Sequence, residues 1–235
     1  RLFRKIADAV HYAHQRGVIH RDLKPSNIVV AARAADASSD PAGGSHAGAP
    51  IPDVKVLDFG LARITEGDVA AATMATEIGT IKGTLAYMSP EQARGNPEDI
   101  DLRSDVYSLG VILYEMLAGR RPYDVQAKSL VESVRTICED PPTPLTRALE
   151  TLRLDADVET IVGKALDKDV DRRYGSAAAM SEDVGRYLSS QPILARPPST
   201  LYQVRKFAAR NRALVGGIVA TFLVLVAGVV VSTVL

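Results

Sequence analysis

The sequence predicts an α+β fold: a mainly helical lobe with short β-hairpins, followed by one apolar C-terminal helix. Three observations carry this. Apolar residues recur at helical spacing through much of residues 1–188, and over 104–118 they run nearly all round, which marks a buried helix. Two short β-branched runs, Ile28-Val29-Val30 and Val54-Lys55-Val56-Leu57, read as strands. The stretch from Ala213 to Leu235 carries no charge, and at 1.5 Å per residue it spans roughly 34 Å, enough for the hydrocarbon core of a bilayer.

The elements follow in order. Residues 2–16 place Leu2, Ile6, Ala9, Val10 and Ala13 at helical spacing, and Gly17 supplies the stop. His11 and His14 sit three apart, but no third ligand is near, so a metal is not the reading. Val18-Ile19 lead into a polar loop, and the first strand follows it. Residues 31–53 are Ala, Ser, Asp, Gly and Pro without apolar periodicity, a low-complexity insertion between two strands. Chain entropy tolerates it, because closure cost grows only with the logarithm of loop length. After the returning strand, residues 61–82 are rich in Thr, Ala and Gly and lack a fixed pattern, as expected of a mobile segment. Helices are expected near 91–94, 104–118, 126–138, 156–167 and 176–188, with Gly119 closing the second. Residues 190–200 are proline-rich, and Arg205, Lys206, Arg210 and Arg212 follow. The domain organisation is therefore a lobe over 1–188, a proline-rich and basic linker over 189–212, and a membrane helix over 213–235. Basic residues just before the span predict that the lobe is cytoplasmic, in a single-pass protein of the cell membrane. Gly216, Gly217 and Gly228 permit close helix contact, which admits a homodimer.

Composition excludes some classes. With 28 basic and 28 acidic residues among 235, there is no electrostatic case for nucleic-acid binding. Cys138 is the single cysteine, so the chain has no internal disulfide or cysteine metal cluster, and Cys138 reads as a small buried hydrophobe.

The chemistry concentrates in two places. His20-Arg21-Asp22-Leu23-Lys24-Pro25-Ser26-Asn27 precedes the first strand, and Asp58-Phe59-Gly60 follows the second. One carboxylate can accept a proton from an attacking hydroxyl, while a second carboxylate and an amide oxygen hold magnesium ions against phosphates. These stretches resemble the catalytic and metal-binding loops of eukaryotic-type serine/threonine protein kinases as found in bacteria. The likeness covers roughly Arg1 to Leu188. Gly83-Thr84 and Met88-Ser89-Pro90-Glu91 resemble the end of an activation segment running over 58–91, with Ser89 where the commoner pattern has Ala. Asp105-Val106-Tyr107-Ser108-Leu109-Gly110 resembles the start of the buried central helix of the large lobe. Arg172 resembles the arginine that pairs with Glu91, although Val170 stands where the family usually has Pro.

The resemblance implies roles. Asp22 is the expected catalytic base, and Lys24 would contact the transferred phosphate, which points to Ser or Thr as acceptor. Asn27 and Asp58 would hold Mg2+ with ATP. Thr84 would bridge toward Asp22 and Lys24 and shape the acceptor site. His20, Phe59 and Gly60 read as packing elements, and Asp105 as a support of the loop backbone. Arg21 beside Asp22 implies a regulatory phosphate on the activation segment, with Thr76 and Thr80 as candidates and Thr73 behind them.

The family's small lobe carries a glycine-rich loop, a strand lysine and a helix glutamate that orients it. None is found here, and Gly43-Gly44 and Gly216-Gly217 do not form such a loop. The chain opens at Arg1 inside a helix. The expectation is a fragment: the large lobe and membrane anchor of a kinase acting on protein substrates, with the small lobe absent. The alternative is a non-catalytic kinase-like scaffold at the membrane.

Overall fold

The computed structural model describes residues 1–31, 52–59, 83–125, 127–149, 154–197 and 199–211, with a few positions between 213 and 225. The insertion apart from its edges, Gly60, and the threonines at 73, 76 and 80 lie outside the described residues.

Helix α1 (Leu2–His14) forms because Phe3, Ile6, Ala7, Val10 and Ala13 lie on one face and are all buried. Leu2 and Ala9 of the expected face are only partly covered. The turn after the helix uses Gly17 at φ +74, a conformation that costs glycine nothing. Strands β1 (Ile28–Ala31) and β2 (Asp53–Val56) pair antiparallel, with Ile28 opposite Val56 and Ala31 opposite Asp53. Leu57 N–H extends the hairpin by donating to the Asn27 carbonyl at 2.8 Å.

Helix α2 (Pro90–Arg94) opens with a reciprocal cap between Ser89 and Gln92 and closes on Gly95 at φ +76. Helix α3 (Leu102–Ala118) is the centre of the lobe. Asp101 caps it, and every residue from Ser104 to Tyr114 is buried. Gly110 lets it approach α6: a Cβ built there would lie 2.8 Å from Ala165 Cβ. Helix α4 (Leu130–Glu139) begins four residues later than expected, because Ser129 and Glu132 form a capping box that fixes its start. A short α5 (Leu145–Ala148) leads to α6 (Ala156–Ala165), which Asp155 caps, and to α7 (Ala177–Leu188), which Ser176 caps. Helix α1 packs on α7 and β2, while α3 packs on α6. One continuous core results, running from Phe3 to Ile193.

Residues 189–212 differ from the expected linker. Helix α8 (Thr200–Arg210), capped by Ser199, occupies half of it. Among the described residues no helix is long and apolar enough to cross a membrane. The expected span over 213–235 lies, apart from scattered positions, outside them.

Candidate active site

The loop from His20 to Asn27 is held by the core helix. Asp105, fully buried on α3, accepts the backbone N–H of His20 at 2.8 Å on one oxygen and that of Arg21 at 2.9 Å on the other. His14 Nε2 meets the same carboxylate at 2.7 Å. Arg21 adopts φ +66, a left-handed conformation that costs a non-glycine residue roughly 1–2 kcal/mol. Asp105 offsets that strain, and Gln92 Nε2 adds a bond to the Arg21 carbonyl at 2.5 Å. A bent loop is thus fastened at three points to buried structure.

His20 fixes the next link. Its Nδ1 accepts the Asp22 N–H at 3.3 Å, so Nε2 carries the proton and donates to the Leu57 carbonyl at 2.9 Å. The ring also lies 4.8 Å from that of Phe59, tilted by 55°. With the Leu57–Asn27 backbone bond, this joins the loop to the residue before Asp58. Asp58 itself sits at φ +59, exposed at the end of β2.

Three side chains then converge. Lys24 Nζ lies 2.9 Å from Asp22 Oδ2 and donates to Thr84 Oγ1 at 3.0 Å. Asn27 Nδ2 donates to the Asp22 carbonyl at 2.8 Å. Since that amide group turns its N–H side to Asp22, its oxygen is what Asn27 can offer a cation. An amide oxygen and the Asp58 carboxylate are hard donors that suit Mg2+, whose remaining positions are usually filled by phosphates and water. The expected residues Asp22, Lys24 and Thr84 therefore meet, Asn27 joins them, and Asp58 is tied in through the backbone.

The support of Glu91 corrects the sequence reading. Its partner is Arg173, not Arg172. Arg173 Nη1 and Nη2 donate to the two Glu91 oxygens at 2.7 and 2.8 Å, and Ser104 Oγ donates to Oε1 at 2.7 Å. Burial would raise the Glu91 carboxyl, but the hydrogen bonds and charge of Arg173 outweigh it and hold the pKa below the usual value. Arg172 ends the 3-10 turn Val170–Arg172 and points outward, 75 % exposed and 3.4 Å from Asp169. In that tight turn, neighbouring side chains diverge by a third of a revolution, so the inward position falls one residue later.

Sequence reasoning missed His14 as a partner of Asp105 and Gln92 as a holder of the loop. It also missed Tyr87, whose hydroxyl donates to Glu115 at 2.5 Å and whose ionisation is driven up by burial and that carboxylate. A Ser-x-x-Gln pattern at 89–92 is the local signal that could have found Gln92, but the His14 and Tyr87 contacts are long-range and leave no such signal.

The geometry therefore brings together a loop braced from the core and a carboxylate–lysine–threonine contact, with the Asn27 amide next to it. The protein kinase domain family model matches residues 1–184, and the chain belongs to that family. It is 40 % identical over 186 residues to serine/threonine-protein kinase PknB of Mycobacterium leprae, covering 78 % of this chain and 25 % of that protein. PknB of Mycobacterium tuberculosis is 38 % identical over 195 residues, covering 82 % of this chain and 27 % of that protein. The chain thus spans about a quarter of these relatives. A crystal structure of the Mycobacterium tuberculosis PknI kinase domain is 22 % identical, covers 79 % of this chain and 52 % of that one, and has a TM-score of 0.49.

Proposed function

We propose that this chain is the large lobe of a serine/threonine protein kinase that transfers the γ-phosphoryl group of ATP to Ser or Thr hydroxyls of proteins. The observation that carries the reading is the contact of Lys24 with both Asp22 and Thr84 on a loop fastened by Asp105. Asp22 orients the acceptor hydroxyl and takes its proton. Lys24 balances the Asp22 charge and presents its cation to the phosphoryl group in transit, while Thr84 fixes the ammonium and borders the acceptor. Asn27 and Asp58 hold Mg2+, which when bound neutralises the phosphate oxygens. Phosphate on Thr76 or Thr80, as the anion that Arg21 would bind, is the regulatory part of the reading.

The uncharged run 213–235 and the basic residues before it support a single membrane span with the lobe on the cytoplasmic side. Retention in the membrane fraction after carbonate extraction tests this.

The decisive experiment on chemistry is Asp22→Asn in the natural protein, read as labelled phosphate on a protein substrate. Turnover should fall by about 10²–10⁴-fold, the range of a positioned base. Near-normal turnover removes Asp22 from that role. A natural protein with no turnover at all would favour the scaffold reading.

A further inference from the structure

Two carboxylates buried in the lobe are spent on the segment that leaves it. Asp183 of α7 is fully buried and accepts the backbone N–H groups of Leu194 and Ala195 at 2.6 and 2.8 Å, with Tyr174 Oη at 3.0 Å. Asp157 of α6 is equally buried. It accepts Tyr202 Oη at 2.9 Å, meets Lys206 Nζ at 2.5 Å and Arg196 Nη1 at 3.5 Å. Tyr202 Oη in turn accepts the Ile193 N–H at 3.0 Å, and Ile193 belongs to the core. The chain to Lys206 is therefore a fixed part of the lobe.

Tyr202 and Lys206 stand four apart, one helical turn, and set the inner face of α8. The outward arc carries Gln203, Val204 and Phe207, and Arg210, one turn beyond Lys206, is exposed at the helix end, with Val204 at 58 % and Phe207 at 48 %. Large apolar side chains beside arginine are the pattern of a helix lying in a membrane interface. In sequence Arg205 and Arg212 flank them, acidic residues are absent from 184–235, and the uncharged run begins at 213.

We propose that the outward side of α8, Val204 and Phe207 with the exposed Arg210 at the helix end, rests on an anionic lipid surface, while its inner face locks the lobe to it. Basic charge selects anionic headgroups, and the start of the uncharged run puts the surface within reach. The orientation of the lobe to the bilayer is then set by Asp157 and Asp183. This inference rests on the membrane-anchor reading.

The chain contains no tryptophan, so a single one reports its own surroundings. Phe207→Trp and, separately, Phe222→Trp are placed in the full chain and reconstituted in phosphatidylcholine–phosphatidylglycerol vesicles. Each is read with lipids brominated near the headgroup or at mid-chain. The expected result is loss of Phe207→Trp emission to shallow bromine and of Phe222→Trp emission to deep bromine. Adding Arg210→Gln to the position-207 variant should weaken the surface contact about fivefold. Quenching at 222 without quenching at 207 overturns the proposal and leaves the anchor standing. Quenching at neither position overturns the anchor and the proposal with it. Equal quenching at 207 in pure phosphatidylcholine overturns the choice of an anionic surface.

Discussion

Replacing Arg173 by Ala strips Glu91 of its partner in a place water does not reach. The arginine side chain is 0 % exposed and the glutamate 2 %, and only Ser104 and the backbone N–H of Glu91 itself remain to bond the carboxylate. Breaking a buried pair from one side costs about 3–5 kcal/mol. A typical domain has about 5–15 kcal/mol in hand, so the change consumes a large part of the stability. Arg172→Ala removes only a solvated pair, worth about 0–1 kcal/mol. The assay is urea unfolding of the chain in mild detergent, followed by circular dichroism, for both variants. The double change Glu91→Leu with Arg173→Met should recover much of the loss, since it leaves no buried charge. The pH dependence has a definite sign. In the natural chain the Glu91 pKa is lowered on folding, so its contribution is present above the unfolded value of ~4.3 and fades as pH falls through the folded one. In Arg173→Ala, burial, the largest influence on Glu91, is no longer countered by the arginine and favours the protonated acid, so the gap between the two proteins narrows in acid. Equal losses for Arg172→Ala and Arg173→Ala, or a gap that widens in acid, would refute the reasoning.

Gly110→Val should destabilise the lobe by about 1–3 kcal/mol in the same assay, because Ala165 and Leu166 leave no room for even a first carbon. Burial pushes the Lys168 ammonium down to about 8, between the rings of Tyr107 and Tyr123 and the Ile137 carbonyl. A lysine whose pKa falls on folding costs stability at low pH, and the cost is relieved between about 8 and ~10.4. The thermal midpoint should therefore rise from pH 8 toward 10, and Lys168→Met should flatten that rise.

The residues that meet at the site were legible because they lie within a few positions of one another or at a strand end. Asp22, Lys24 and Asn27 share one loop, and Asp58 follows a strand whose alternation is plain. Helix α3 announced itself by being apolar all round. What escaped was set by long-range polar contacts, to which hydrophobic periodicity is blind. His14 was weighed against His11, its neighbour on the helix, while its partner Asp105 stands 91 positions away. Helix α8 docks through a tyrosine hydroxyl and a lysine rather than an apolar stripe, so its sequence reads as a basic linker. The choice between Arg172 and Arg173 turned on the rotation of a single 3-10 turn.

The amides of His20 and Arg21 are donated to no ladder and no neighbouring turn; both go to a carboxylate on the helix at the centre of the lobe. An amide proton exchanges with solvent only when its bond opens, and opening these two means withdrawing Asp105 from beneath the loop. Their exchange should follow global unfolding rather than the local fraying usual for a loop. The loop that carries the site thus inherits the protection of the deepest element in the lobe. Its order lasts as long as the core does, and a substitution that loosens α3 should be read out first as faster exchange at His20 and Arg21.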